Sequence, residues 1–186
     1  MIQNLFRLSQ EAIGRLTKKR QIGNKLPLRG RFVIEHWRKG VLLKTYDFPN
    51  DITNEGKNTI FDTYFNNTTQ ITTWYIGIVN ASGFSAFNAT DVMTSHAGWV
   101  EFTGYSQANR VTWTSGAASG QSVTNSSPAV FDMTGTATLH GVFITSNNVK
   151  SGTSGKLWAT APFNADINVI NGDELKVDLA SLLSNK

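Results

Sequence analysis

The chain has 186 residues, no cysteine, 16 glycines and a net charge of +4, a length that suits one domain of ordinary size. The missing cysteines exclude a disulfide framework, a thiolate zinc site and a thiol nucleophile, and three scattered histidines leave few imidazoles for a metal. Charged residues make up 16% of the chain, against a usual share near 25%, so Ser, Thr, Asn and Gly must wet the surface, as in an all-β structural protein.

The net charge hides a division. Residues 1–44 hold eleven Lys and Arg against Glu11 and Glu35, a balance of +9, whereas residues 45–186 hold six against eleven, a balance of −5. A basic leader of this kind suits nucleic acid, an anionic membrane or an acidic protein surface. No apolar run reaches the roughly 18 residues of a membrane span. Met1–Leu8 also lacks the charged region, long apolar stretch and cleavage site of a secretory signal. The expectation is a protein made and kept in the cytosol.

In chain order, Leu5, Leu8, Ala12, Ile13 and Leu16 recur at helical spacing with Arg7, Glu11, Arg15, Lys18 and Lys19 between them, which predicts an amphipathic helix over residues 3–20. Its C-terminal end is basic, as the helix dipole favours, and Gly23-Asn24 offers a stop. Alone in water such a helix is marginal, so it reads either as a solvated basic tail or as an arm that orders against a partner. The switch to strand-like sequence near Arg29–Phe32 divides the chain into an arm, residues 1–29, and a folded domain, residues 30–186.

Residues 31–37 and 41–48 are β-rich runs around Arg38-Lys39-Gly40 and predict a hairpin. One short helix follows: Ile60, Phe61, Tyr64 and Phe65 share a helical face, and Thr53 or Asn54 can cap its start. After Thr69 the chain reads as strands between polar turns, over residues 72–79, 98–105, 110–114, 129–133, 137–145, 156–163 and 174–179. Strands at intervals of about a dozen residues, with no parallel β-α-β rhythm, predict a mainly β fold: an antiparallel β-sandwich or jelly roll with one short helix.

Asp62, Asp91, His96 and Glu101 are the residue types that acid–base or metal chemistry needs, but their spacing forms no ligand or catalytic pattern. The chain has no G-x-S-x-G elbow, P-loop, H-E-x-x-H or dinucleotide turn. The residues therefore give no catalytic, cofactor or metal site, and His96 reads as a hydrogen-bonded structural histidine. Trp74, Trp99, Trp113 and Trp158 have neutral neighbours and predict core or subunit-interface packing; only Trp37 adjoins charge, at Arg38 and Lys39.

The stretches Thr53-Asn54-Glu55-Gly56-Lys57-Asn58, Thr72–Ile78 and Asp91-Val92-Met93-Thr94-Ser95-His96-Ala97-Gly98-Trp99 resemble a family of small virion structural proteins of tailed bacteriophages and prophages. The likeness continues through Gly116–Asn125 and Gly155-Lys156-Leu157-Trp158 to Gly172-Asp173-Glu174-Leu175, and spans about residues 30–180. It implies a non-enzymatic protein of the particle, synthesised in the host cytoplasm. The first expectation is a head decoration or cement protein, a homo-oligomer and by preference a trimer, bound to the major capsid protein or other virion proteins. The arm would make the contact through Leu5, Leu8, Ile13, Leu16, Lys18, Lys19 and Arg20. Rival readings are a tail, collar or fibre-base protein, a nucleic-acid-binding protein using the basic arm, and, ranked last, a glycan-binding or glycan-cleaving module. No membrane partner is expected.

Overall fold

The computed structural model describes residues 28–183, with side chains through Ala180. The predicted helix over residues 3–20 and the seven arm residues named above lie outside the described residues. The described residues are mainly β, as expected. They form one antiparallel sheet and one helix.

The first strand, β1 (Leu28–Arg38), turns into β2 (Val41–Ile52) through Lys39 and Gly40. Both turn residues have positive φ, 50° and 75°, the left-handed pair whose twist matches the flanking strands of a two-residue hairpin. Thr53 then opens helix α1 (Asn54–Phe65). Strand β3 (Trp74–Asn80) follows, then the short β4 (Glu101–Phe102), β5 (Val111–Trp113), β6 (Ser122–Thr124) and β7 (Ala129–Asp132), and the long β8 (Ala137–Thr145), β9 (Leu157–Val169) and β10 (Asp173–Leu183). The strand order is β4-β3-β8-β9-β2-β1-β10-β6, with β5 on β3 and β7 on β10. Two residue pairs, Asp51 with Thr160 and Ile52 with Ala159, join β2 to β9 and so connect the halves of the sheet.

Alternation sets the buried face of the first half: Phe32 and Ile34 in β1, Tyr46 and Phe48 in β2, and Leu175, Val177 and Leu179 in β10. These side chains share one apolar cluster with Ile76, Ile78, Leu139, Val142, Ile144, Ala161 and Phe163 of the second half. Phe48 meets Phe163 with ring centroids 5.2 Å apart. At about 25 cal/mol for each Å² of apolar surface removed from water, this shared cluster is the main stabilising element of the domain.

β3 and β8 carry runs of consecutive buried residues instead of alternation. Their second face is covered by residues 81–100, whose Met93 and Trp99 pack with Val79, Phe143 and Leu157 in a separate cluster, flanked by Phe84 and Phe87. Gly77 makes the close approach possible. It is paired with Phe143 across the ladder, and a Cβ at Gly77 would lie 2.3 Å from that ring.

Two expectations change in detail. Only Glu101–Phe102 of the predicted strand over 98–105 pairs as a strand, because Trp99 turns inward and holds the preceding loop. β6 was not expected: it has three residues and pairs only with the end of β10, so its alternation is too short to read.

Candidate protein interface

α1 is built so that one end is anchored and the other stands free. Thr53 Oγ1 accepts a hydrogen bond from the Gly56 N–H at 2.9 Å and donates to the Leu157 carbonyl at 2.5 Å. Glu55 accepts from the Leu157 N–H at 2.8 Å and from Lys156 Nζ at 3.0 Å. Gly56 presses its backbone onto β9: a Cβ there would sit 2.3 Å from the Trp158 carbonyl oxygen. A cap residue, a first-turn acid and a glycine thus fix the helix N-terminus to one strand.

The last two turns carry Phe61, Tyr64 and Phe65, which are 59%, 80% and 71% exposed. The face predicted from their spacing exists, yet among the described residues no core covers it. The rings pack mainly on one another, Phe61 with Phe65 at 6.1 Å and Tyr64 with Phe65 at 5.0 Å. At about 150–250 Å² per aromatic residue, these exposures leave roughly 400 Å² of ring surface in water, a patch of the size that marks an interaction site.

Beside this face lies an open pocket of about 400 Å³ whose walls include Leu28, Ile60, Trp74, Trp113, Val123 and Trp158. Trp74 pairs with Trp113 across the β3–β5 ladder and packs against Trp158 with centroids 5.5 Å apart. Trp113 Nε1 donates to Asn125 Oδ1 at 2.7 Å, which satisfies its only polar atom and leaves the ring to line the wall. Ile60 belongs to both the pocket and α1. None of the described lining residues is charged. Three of the four neutral tryptophans therefore line an open apolar surface, while Trp99 is buried.

A second apolar surface is the tip of the β1–β2 hairpin, where Val41, Leu42 and Leu43 are exposed next to Lys39 and Lys44.

The acid and imidazole residues singled out in the sequence do not form one cluster. Asp91 is buried and accepts from Trp99 Nε1 at 2.9 Å and from the Asn88 N–H at 3.0 Å. His96 stacks on Trp99, centroids 3.8 Å apart, and its Nδ1 donates to the Trp99 carbonyl at 3.2 Å. Glu101 is bound by Arg110 through two hydrogen bonds of 2.9 Å each. Asp62 accepts from Asn66 near the end of α1. Among the described residues no group of three or more His, Asp and Glu side chains is placed to hold a metal ion.

Two polar assemblies had no signal in the sequence. Asp173 is buried and takes Nε and Nη2 of Arg38 at 2.6 and 2.8 Å, Nε2 of His36 at 2.8 Å and the Ile170 N–H at 2.9 Å. The Arg38 guanidinium, aided by His36 and the Ile170 amide, holds the Asp173 carboxyl well below the usual carboxylate range. Arg110, also buried, donates to the carbonyls of Asn147 and Gly152 while gripping Glu101. Both assemblies tie turns to strands.

No protein-family model matches the chain, and no curated protein matches it. Of the residue blocks quoted above, Thr53–Gly56 caps α1, Asp91–Trp99 forms the fold-over and Gly172-Asp173 the β9–β10 turn, whereas the others bring Trp74, Ala118, Gln121, Ser122, Val123 and Trp158 to the pocket.

Substituting His96 by Ala is expected to cost about 1 kcal/mol, from one stacking contact and one hydrogen bond. That corresponds to a fall of about 2–4 °C in melting temperature. Added zinc should leave the melting temperature of the native chain unchanged. Stoichiometric zinc in the purified protein, lost in the His96→Ala variant, would overturn the structural role of this residue.

Proposed function

We propose that this chain is a non-enzymatic structural component of a tailed-bacteriophage virion, a decoration or cement protein that binds the head shell and stabilises it. The observation that carries this reading is the exposed aromatic surface of α1 beside the uncharged tryptophan pocket. Exposed rings on a firmly anchored helix favour burial against another protein. The buried carboxylates, by contrast, have their oxygens committed to cation and backbone partners that hold turns. A protein that binds only the assembled shell stabilises it by mass action.

In this reading the two halves of the sheet face each other as a sandwich or jelly roll. One apolar cluster drawn from both halves, joined by only two residue pairs, supports that arrangement. The functional unit is a homo-oligomer, by preference a trimer, synthesised in the host cytoplasm and carried on the particle beside the major capsid protein. Leu28 and Arg29, read from the sequence as the end of the arm, belong to β1, and the chain before them acts as a basic arm on an acidic capsid surface through Leu5, Leu8, Ile13, Leu16, Lys18, Lys19 and Arg20. Burying the four apolar side chains contributes several kcal/mol, at about 1.5–3 kcal/mol for each large apolar residue before ordering costs.

Deleting residues 1–24 is expected to abolish or greatly weaken binding to particles that lack the protein, while the remaining domain still folds. Neutralising Lys18, Lys19 and Arg20 should mainly slow attachment and change its salt dependence. Sedimentation of purified variants with such particles at two salt concentrations measures both. Full occupancy by the truncated chain would remove the arm from the docking surface. A position confined to one vertex, in place of a periodic distribution over the shell, would assign the protein to the tail.

A further inference from the structure

The aromatic face of α1 and the tryptophan pocket lie side by side on one molecule, and their shapes are opposite. Phe61, Tyr64 and Phe65 protrude; Trp74, Trp113 and Trp158 wall a hollow of about 400 Å³. Ile60 contributes to both, so the projection and the hollow adjoin. We propose that they are the two halves of one self-association site, in which the α1 rings of one copy enter the tryptophan pocket of a second copy.

Three observations favour a second copy over a foreign protein. First, a copy of this chain supplies both complementary shapes, with no need for a matching surface elsewhere. Second, the pocket has no charged lining among the described residues and the projecting rings are uncharged. An uncharged contact of this kind carries no opposite charge to steer a foreign partner onto it. Third, the roughly 400 Å² of ring surface on α1 is about half of the 800 Å² per partner that a stable interface buries, and the pocket walls supply further area. Projection and hollow are different parts of one surface, so the contact is satisfied twice in a two-fold pair or head-to-tail in a closed ring.

The inference deepens the oligomer part of the proposed function and rests on that reading for its biological setting, but purified protein tests it without a particle. Full-length chain is examined by sedimentation velocity at tens of micromolar, together with two variants. Tyr64→Lys with Phe65→Lys removes the projection, and lysines near a helix C-terminus suit its dipole. Ala118→Arg places a charged side chain at the pocket, where Ala118 is exposed. The native chain is expected to sediment as an oligomer and each variant as a 20.4 kDa monomer that keeps the native far-UV circular dichroism spectrum. Association should be weakened at least about 30-fold, the scale of an interface hot spot. A mixture of the two variants should recover one-to-one pairs, because one retains the hollow and the other the projection.

A monomeric native chain would overturn the proposal, and so would variants that still assemble. Monomeric variants that fail to pair when mixed would overturn the entry of projection into hollow. A native chain that is monomeric yet binds particles would sink this inference and leave the virion reading standing; an oligomer that binds no particle would do the reverse.

Discussion

Replacing Arg110 by Ala is expected to lower stability by about 3–5 kcal/mol, the cost of leaving a buried ion without its partner. Glu101 would be left in a nearly dry site, with side-chain exposure of 5% and the Ser151 N–H, at 2.6 Å, as its remaining hydrogen-bond partner. The carbonyls of Asn147 and Gly152 would lose their donor in the same step, and the Phe143 ring would lose the guanidinium 5.2 Å from its centre. For a domain of this size the melting temperature should fall by roughly 6–20 °C. Substituting both partners, Glu101→Gln with Arg110→Met, should cost less than Arg110→Ala, because no unpaired charge is left behind. A double-mutant cycle by urea denaturation measures this. Equal losses in single and double variants would show that the loop contacts, not the ion pair, carry the stability.

The second large effect concerns Asp173, and its signature is pH dependence. Asp173→Asn keeps the shape of the side chain but removes the charge that Arg38 and His36 address, and is expected to cost about 3 kcal/mol at neutral pH. Because Arg38 first, then His36 and the Ile170 amide, lower the pKa of Asp173 in the folded protein, its contribution is fully present above the unfolded-state value of about 3.9 and is lost as pH falls toward the folded value. The gap between native and Asp173→Asn stability should therefore shrink as pH falls below about 4. The exposed Arg31–Asp47 pair also lowers its carboxylate, so native stability falls in acid for more than one reason; the difference between the two proteins isolates Asp173. A gap that widens in acid would contradict the assignment.

These two assemblies show where reading from sequence stops. Asp173 meets His36 and Arg38 across 137 and 135 residues, and no local pattern connects positions so far apart. Glu101 and Arg110 are only nine residues apart, but the chain between them turns, and the carbonyls that complete the site come from a loop about forty residues further on.

The α1 segment divides in the same way. Its existence was legible from apolar residues at helical spacing, and its cap narrowed to Thr53 or Asn54; the fold selects Thr53. Periodicity also placed Ile60, Phe61, Tyr64 and Phe65 on one face. It did not say what covers that face, since spacing records which side chains point together and not what lies opposite. Gly56 decides the matter in three dimensions by letting the other side of the helix press onto the Trp158 carbonyl, so the rings point outward.

The sequence by itself determined the mainly β composition, the Lys39-Gly40 hairpin, most long strands and the single described helix, all of which rest on near-neighbour chemistry: alternation, turn conformation and capping. Only the tertiary structure decided that residues 81–100 fold over the β3–β8 face, that three tryptophans frame an open pocket beside an uncovered aromatic helix, and that the buried carboxylates hold turns. Those outcomes depend on which surfaces meet, and that is set by long-range packing, where a side chain's energy comes from partners distant in the chain.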